Sequence, residues 1–440
     1  MHTNHHTRGR RGLKTLLAGA LATTLAMSMA ACGGLKESSA ASSDTIRIGY
    51  ISPRTGAASA FAESDAYILK KVREAFEDGI ETNGKTYKVE ILDRDTGSDP
   101  AKAATIADQL ITKDGVDMIL VTSTPETIHP VSDKCELEGI PCISTIEPWQ
   151  GWYYGRGGTE TKDFDFTYHF FDGLEHIAKV ESDMWGLTET NKKVGVLWPN
   201  DADGAAFRDK SNGYIAAGNI SGYEIVDPGA YEDGTKDFSS VISKFKQENV
   251  EILAGVPSPP DFATFWTQAA QQGFRPKVAT ISKAILFESG VASLPNGLGD
   301  GLSAASFWVP QYPFTSSLDG MSATELADGY EASPEARGQT WNQALGPNYA
   351  LFEVANAVLS RVDPKDRKAV ADQIGKTSVD TILGKIDWTG SGPTHPVKNV
   401  ATIPMVGTQW IRDGEDFTLD VVSNELVPEM KLDADLVPIQ

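Results

Sequence analysis

Hydrophobic and polar positions along the chain switch between two periods. From Thr45 onward, a short apolar, β-branched run gives way to a stretch with helical spacing, and the pair recurs. "IRIGYIS" (46–52) reads as a buried strand, and "SAFAESDAYILKKVREAFED" (59–78) carries its charges on one face of a helix. "YKVEILDRDT" (87–96) alternates as a strand does. The next stretch, 99–115, opens with Asp99 as N-cap and Pro100 at the first helical position, and it closes on Gly115. "VDMILVTST" (116–124) is a buried strand, "PETIHPVSDKCELEG" (125–139) a helix containing Pro130, and "PCISTI" (141–146) the next strand. The aromatic burst that follows, "EPWQGWYYG" (147–155), reads as a loop.

The rhythm restarts after "TYHFFDG" (167–173). Strands are predicted at 192–199, 223–231, 250–257 and 277–282, with helices through about 218, at 237–249 and at 261–273. Such alternation builds a parallel sheet covered by helices on both faces. Two runs of roughly 120 residues each predict two α/β domains. The last third is less regular, with a helix at 347–361 and strands near 400–414 and 417–423.

The first residues do not join this pattern. Arg8, Arg10, Arg11 and Lys14 precede an apolar, small-residue run that ends at Cys32, the layout of a secretory signal. "MAAC" (29–32) resembles a bacterial lipobox, which implies acylation of Cys32 after cleavage and a lipid anchor on the membrane. "RRGLK" (10–14) hints at a twin-arginine signal, so the export route stays open. Residues 1–32 are thus expected as a signal peptide and 33–44 as a flexible tether. Export permits a disulfide between Cys135 and Cys142, and one is expected there.

Charge narrows the function. The net charge is −21, and the leader carries four basic residues and no acidic one, so the mature chain is still more acidic. Such a surface repels phosphate and argues against nucleic acid; it suits a soluble monomer. "GIETNGKT" (79–86) matches the P-loop pattern, but a helix precedes it and a strand follows, the reverse of what phosphate cradling needs. No HExxH, GxSxG or CxxC occurs, and the histidines are scattered. No catalytic residue, metal site or cofactor is predicted.

"IRIGYISPRTGAASAFAE", "EDGIETNGKTYKVEILDRDTGSDPAKAATIADQLI" and "GVDMILVTSTPETIHPVSDKCELEGIPCIST" resemble the first domain of type I periplasmic binding proteins, the leucine/isoleucine/valine-binding group that serves ABC importers. The resemblance implies two Rossmann-like lobes with parallel sheets, joined by a three-strand hinge. Lobe 1 would span 45–170 and be completed by about 305–385; lobe 2 would span 171–304 and be completed by about 390–440. The crossings would fall near 168–174, 300–312 and 385–400. A small solute would bind between the lobes, the lobes would close on it, and the closed form would dock on a membrane permease. A sensory module feeding a receptor, or an exported α/β hydrolase, are the rival functions.

Carried over position by position, the resemblance implicates Phe61, Thr122, Ser123, Thr124, Thr145, Glu147 and Trp149 in lobe 1. In lobe 2 it implicates Trp198, Asp203 and Lys283. Lys283 stands where amino-acid binders carry an acid for the ligand ammonium, and Asp203 stands where they carry a Tyr. A lysine there repels an ammonium and favours an anionic end, so the expected ligand is a small organic acid, aromatic walls suiting a flat one. An amino-acid-like zwitterion, or a cation held by Glu147, Asp203 and Trp faces, are the alternatives.

Overall fold

The computed structural model describes residues 44–439, apart from 391, 393 and 394. The expected signal, tether and Cys32 lie outside the described residues. Among the described residues there are sixteen strands: β1 (Thr45–Ser52), β2 (Ile80–Thr82), β3 (Lys85–Asp95), β4 (Met118–Thr122), β5 (Cys142–Thr145), β6 (Thr167–Phe170), β7 (Lys193–Leu197), β8 (Glu224–Val226), β9 (Ile252–Gly255), β10 (Val278–Ile281), β11 (Ser303–Ser306), β12 (Ser378–Thr381), β13 (Gly384–Asp387), β14 (Val400–Ala401), β15 (Val406–Asp413) and β16 (Asp416–Ser423).

They form two seven-stranded sheets, ordered β14-β6-β5-β4-β1-β3-β2 and β16-β15-β11-β10-β9-β7-β8, plus the small β12-β13 pair. The strands that alternate with helices pair in parallel, β1 with β3 and β4, and β9 with β7 and β10. The antiparallel pairings are peripheral, β2 with β3 and β15 with β11 and β16. Each sheet defines one lobe. Central strands such as β4 (MILVT) and β9 (ILAG) are buried along their whole length, which is why they read as continuous apolar runs rather than alternating ones.

The chain changes sheets after β6, after β11 and between β14 and β15. The third crossing therefore lies at residues 402–405, later than the expected 385–400. The reason is β14, which pairs with β6 and holds the chain in the first sheet until Ala401.

Local differences have equally plain causes. The helix expected over 59–78 is a 3-10 turn at Ser59–Ala62 and a helix at Asp65–Ala75. The P-loop match is a β-hairpin, in which Asn83 and Gly84 both adopt positive φ between β2 and β3, as a two-residue turn requires. The aromatic stretch taken for a loop is a helix, Trp149–Gly155, with Trp149, Trp152 and Tyr153 buried. Trp152 stacks on His169 at 5.1 Å, and the Arg156 guanidinium lies 4.7 Å over the Trp152 ring. Cys135 and Cys142 are buried free thiols, so the expected bridge is absent. Both are enclosed in the apolar core of lobe 1, where burial, with the neighbouring Cys142 thiol adding to it, pushes the Cys135 thiol up.

Several carboxyls are enclosed far from solvent. Burial raises Asp65 to about 7, Glu181 to about 8 and Glu353 to about 7, outweighing the hydroxyl, amide or backbone donors around each. Their native forms hold protons that the unfolded chain releases above about pH 4. Stability therefore falls as pH rises from about 5 to 8. Urea denaturation across that range should show the decline, and Glu181→Gln should flatten it by roughly 1–3 kcal/mol at the upper end. A stability that rose over the same interval would contradict this assignment of protons.

Candidate ligand site between the lobes

In open α/β sheets, ligands bind beyond the carboxyl ends of the strands. Here the carboxyl ends of both sheets converge on a cavity of about 70 Å³. Lobe 1 contributes Phe61, Thr124 and Ile146; lobe 2 contributes Phe207, Val256 and Leu286. Each crossing adds a wall: Phe171 the first, Phe307 the second, Met405 the third. Phe171 and Phe307 meet edge to face at 4.9 Å, tying two crossings together at the cavity. Four titratable groups line it: Glu147, Asp172, Asp203 and Lys283.

The backbone bends sharply where it reaches this space. Ser123, Thr124, Ile146 and Lys283 all have positive φ, between 56° and 67°. That region is strained for non-glycine residues, most of all β-branched ones such as Thr124 and Ile146, and costs on the order of 1–3 kcal/mol each. Three of the four line the cavity: Thr124, Ile146 and Lys283.

Lys283 follows β10, and its Nζ donates to Asp203 Oδ2, with Asp201 Oδ2 3.7 Å away. Burial works against its charge, but Asp203, Glu126 and Asp201 together hold the ammonium protonated well above the usual lysine range. Asp203 reaches it from the helix Ala202–Arg208, whose N-cap is Asp201, accepting from Gly204 N at 2.7 Å. Gly204 allows that approach, since a Cβ there would stand 1.9 Å from the Pro199 carbonyl oxygen.

Glu147 is 2% exposed. His129 Nε2 lies 2.6 Å from its Oε1, while Oε2 has no partner. Burial raises the Glu147 carboxyl; on His129, burial is outweighed by the Glu147 charge, and the imidazole is raised as well. The loop is fixed from behind. His169 Nε2–H donates to the Glu147 carbonyl at 2.8 Å, and Ser144 Oγ–H donates to Nδ1 at 2.8 Å. Burial lowers His169 to about 3, so this ring stays neutral.

Asp172 sits on the first crossing and is 0% exposed, and neither of its carboxylate oxygens has a hydrogen-bond partner. Its carbonyl accepts from Trp149 N at 3.0 Å, so the aromatic helix anchors the crossing strand. Burial pushes its carboxyl far up, and Glu175 adds to the effect.

Of the residues expected at the site, Phe61, Thr124, Glu147, Asp203 and Lys283 line the cavity. The other five do not: four are engaged elsewhere, and the Ser123 hydroxyl is buried without a partner. Thr122 Oγ1 donates to Asn348 at 2.5 Å, and Thr145 Oγ1 donates to the Phe170 carbonyl at 2.8 Å. Ser123 is fully buried beside them. Trp149 Nε1 donates to Glu175 at 2.9 Å, and Trp198 packs on Phe207 and Tyr214 with Arg208 over its ring. The aromatic walls are phenylalanines rather than the expected tryptophans. Sequence reasoning also missed Asp172; the available signal was an acid ending the apolar run "TYHFF" at a strand's carboxyl end.

A cavity walled by two lobes and three crossings is the arrangement in which a solute-binding protein holds its ligand. The sequence profile described as periplasmic binding protein matches residues 45–414, and the chain belongs to that family. Such proteins work outside the cytoplasm. Among relatives, the Leu/Ile/Val-binding protein homolog 3 of Brucella melitensis is 26% identical over 364 residues, covering 79% of this chain and 88% of that protein. The Leu/Ile/Val-binding protein of Escherichia coli K12 is 20% identical, covering 83% and 92%. In structure, the chain resembles LivJ of Streptococcus pneumoniae in complex with isoleucine, with TM-score 0.65, 17% identity and coverage of 86% and 99%. It also resembles a Rhodopseudomonas palustris solute-binding protein in complex with 3,4-dihydroxy benzoic acid, with TM-score 0.64, 16% identity and coverage of 90% and 98%.

The Lys283–Asp203 pair gives a direct stability test. Removing one partner of a buried ion pair leaves an uncompensated charge and costs about 3–5 kcal/mol, whereas replacing both with apolar groups is close to neutral. Lys283→Met should lower unfolding free energy by about 3 kcal/mol, and Lys283→Met/Asp203→Leu should restore most of it. A lysine held free for a ligand would show almost no loss in the single variant.

Proposed function

We propose that this chain is the extracytoplasmic solute-binding component of an ABC importer. It captures one small solute between its lobes, closes around it and presents the closed form to membrane permease subunits. The observation that carries this reading is the cavity built from both lobes and all three crossings, because any solute filling it touches every part that must move in closure. The ligands named for its relatives and structural neighbours, branched-chain amino acids and benzoate-type acids, support a small amino-acid-like or organic-acid solute. The chain performs no chemistry on it and acts as a monomer. Phe61, Thr124, Glu147, Asp203 and Lys283 form or support the binding surface.

Cys32, acylated after cleavage of the leader, holds the protein at the membrane on the 33–44 tether. Expressed in a bacterial host, the Cys32→Ala protein should leave the membrane fraction for the soluble one; unchanged retention would refute the anchor.

Closure is testable in solution. Small-angle scattering of the mature chain, screened against amino acids, amines and small organic acids, should show the radius of gyration falling with a binding solute and unchanged without one. A chain that binds a solute tightly by calorimetry yet keeps an identical scattering curve would contradict lobe closure.

A further inference from the structure

The cavity's polar groups can be sorted by whether the protein already satisfies them. Lys283 is bonded to Asp203 and flanked by Asp201 and Glu126, so its charge is spent. Asp203 is spent on the same bond. The start of the helix Pro125–Glu138, where the backbone would favour an anion, already carries an anion: the Glu126 carboxylate lies in its first turn, close enough to Lys283 to be lowered by it. Three oxygens remain. Both carboxylate oxygens of Asp172 and Oε2 of Glu147 are buried without a partner, on residues that line the cavity.

An unpartnered buried carboxyl is expensive for the folded protein. Two of them on residues that line one cavity ask for hydrogen-bond donors, and the strongest complement is a cation. Among the described residues, Asp172 has no such charge beside it, and Glu147 has only His129. Glu175 adds negative charge near Asp172, and Asp203 and Glu126 do so near Glu147, where His129 is the nearby cation and occupies the other oxygen. An incoming carboxylate would find its lysine taken, its helix start filled and two acids in front of it. The remaining lining is mostly apolar, with the rings of Phe61, Phe171, Phe207 and Phe307 around it. Such walls take a hydrocarbon body, and ring faces favour an adjacent cation.

We propose that the solute is an organic cation, a short apolar body ending in an ammonium group and carrying no carboxylate, with the ammonium held between Asp172 and Glu147. The assignment rests on the solute-binding reading above and departs from it on the solute, setting an organic cation in place of the amino-acid-like or organic-acid solute that the relatives' ligands support.

Isothermal titration calorimetry of the mature chain against two matched series tests it. One series is leucine, 3-methylbutylamine and 4-methylpentanoate; the other is phenylalanine, 2-phenylethylamine and 3-phenylpropanoate. Within each, the body is constant while the polar end is a zwitterion, an ammonium or a carboxylate. The expected result is that the amine binds at least about tenfold tighter than both companions in one series or both. Asp172→Asn should weaken that binding by about tenfold or more, with its thermal midpoint and circular dichroism kept. Should that variant fail to fold, Glu147→Gln serves the same purpose and should weaken the same amine. Equal or tighter binding of an amino acid or acid overturns the proposal, as does silence of both amines, or amine binding indifferent to the variant. A chain that closes on an acid or amino acid keeps the solute-binding function and loses only this assignment; a chain that closes on nothing in the broader scattering screen loses both.

Discussion

The ion pair between Lys283 and Asp203 sets the electrostatics of the whole cleft. Both residues sit at the edge of the second lobe, one at the end of β10 and the other on the short helix that Gly204 brings against Pro199. Because they neutralise each other, the lysine offers nothing to a ligand, and the titratable groups left lining the cleft are carboxyls. Asp172 and Glu147 are then left as buried acceptors facing a mostly apolar space. A protein tolerates such groups where a ligand completes them, since the energy gained on binding is largest for groups the fold leaves unsatisfied.

The backbone serves the same end. Strained residues stand where the chain leaves the carboxyl ends of the strands: Ser123 and Thr124 after β4, Ile146 after β5 and Lys283 after β10. Ile146 turns the chain at the position before Glu147, and the neutral His169 ring grips the Glu147 carbonyl from β6. The aromatic helix Trp149–Gly155 grips the carbonyl of Asp172 in the same way. Both acids are therefore placed by lobe 1 and the first crossing, while the second lobe brings the apolar faces of Phe207, Val256 and Leu286. Closure would bring the two kinds of surface onto one molecule.

Much of the architecture was legible in the sequence, because strands buried on both faces leave unbroken apolar runs such as "MILV" and "ILAG" between amphipathic helices. The peripheral pieces were less so. β14 is two residues long and carries no pattern, and its pairing with β6 is what moved the third crossing to 402–405. At the site, residues at strand ends were found when they lay just past a predicted strand, as Glu147 and Lys283 did. Tryptophans attracted attention by size, yet Trp149 and Trp198 are packed into the lobes, and phenylalanines from the crossings line the space. Asp172 escaped notice because a lone acid in a connection looks solvated; only three-dimensional burial shows that its oxygens lack partners. The sequence likewise places Lys283 near a ligand but does not reveal that Asp203 has already claimed it.

The central claim is that this cleft is completed by a small cation from outside the protein. Native mass spectrometry of the chain purified without denaturation, followed by release and identification of the retained solute, tests it most directly. The account predicts a single small amine at up to one per chain, retained by the intact protein and lost from Asp172→Asn. A retained carboxylate or amino acid, held equally well by that variant, would contradict it.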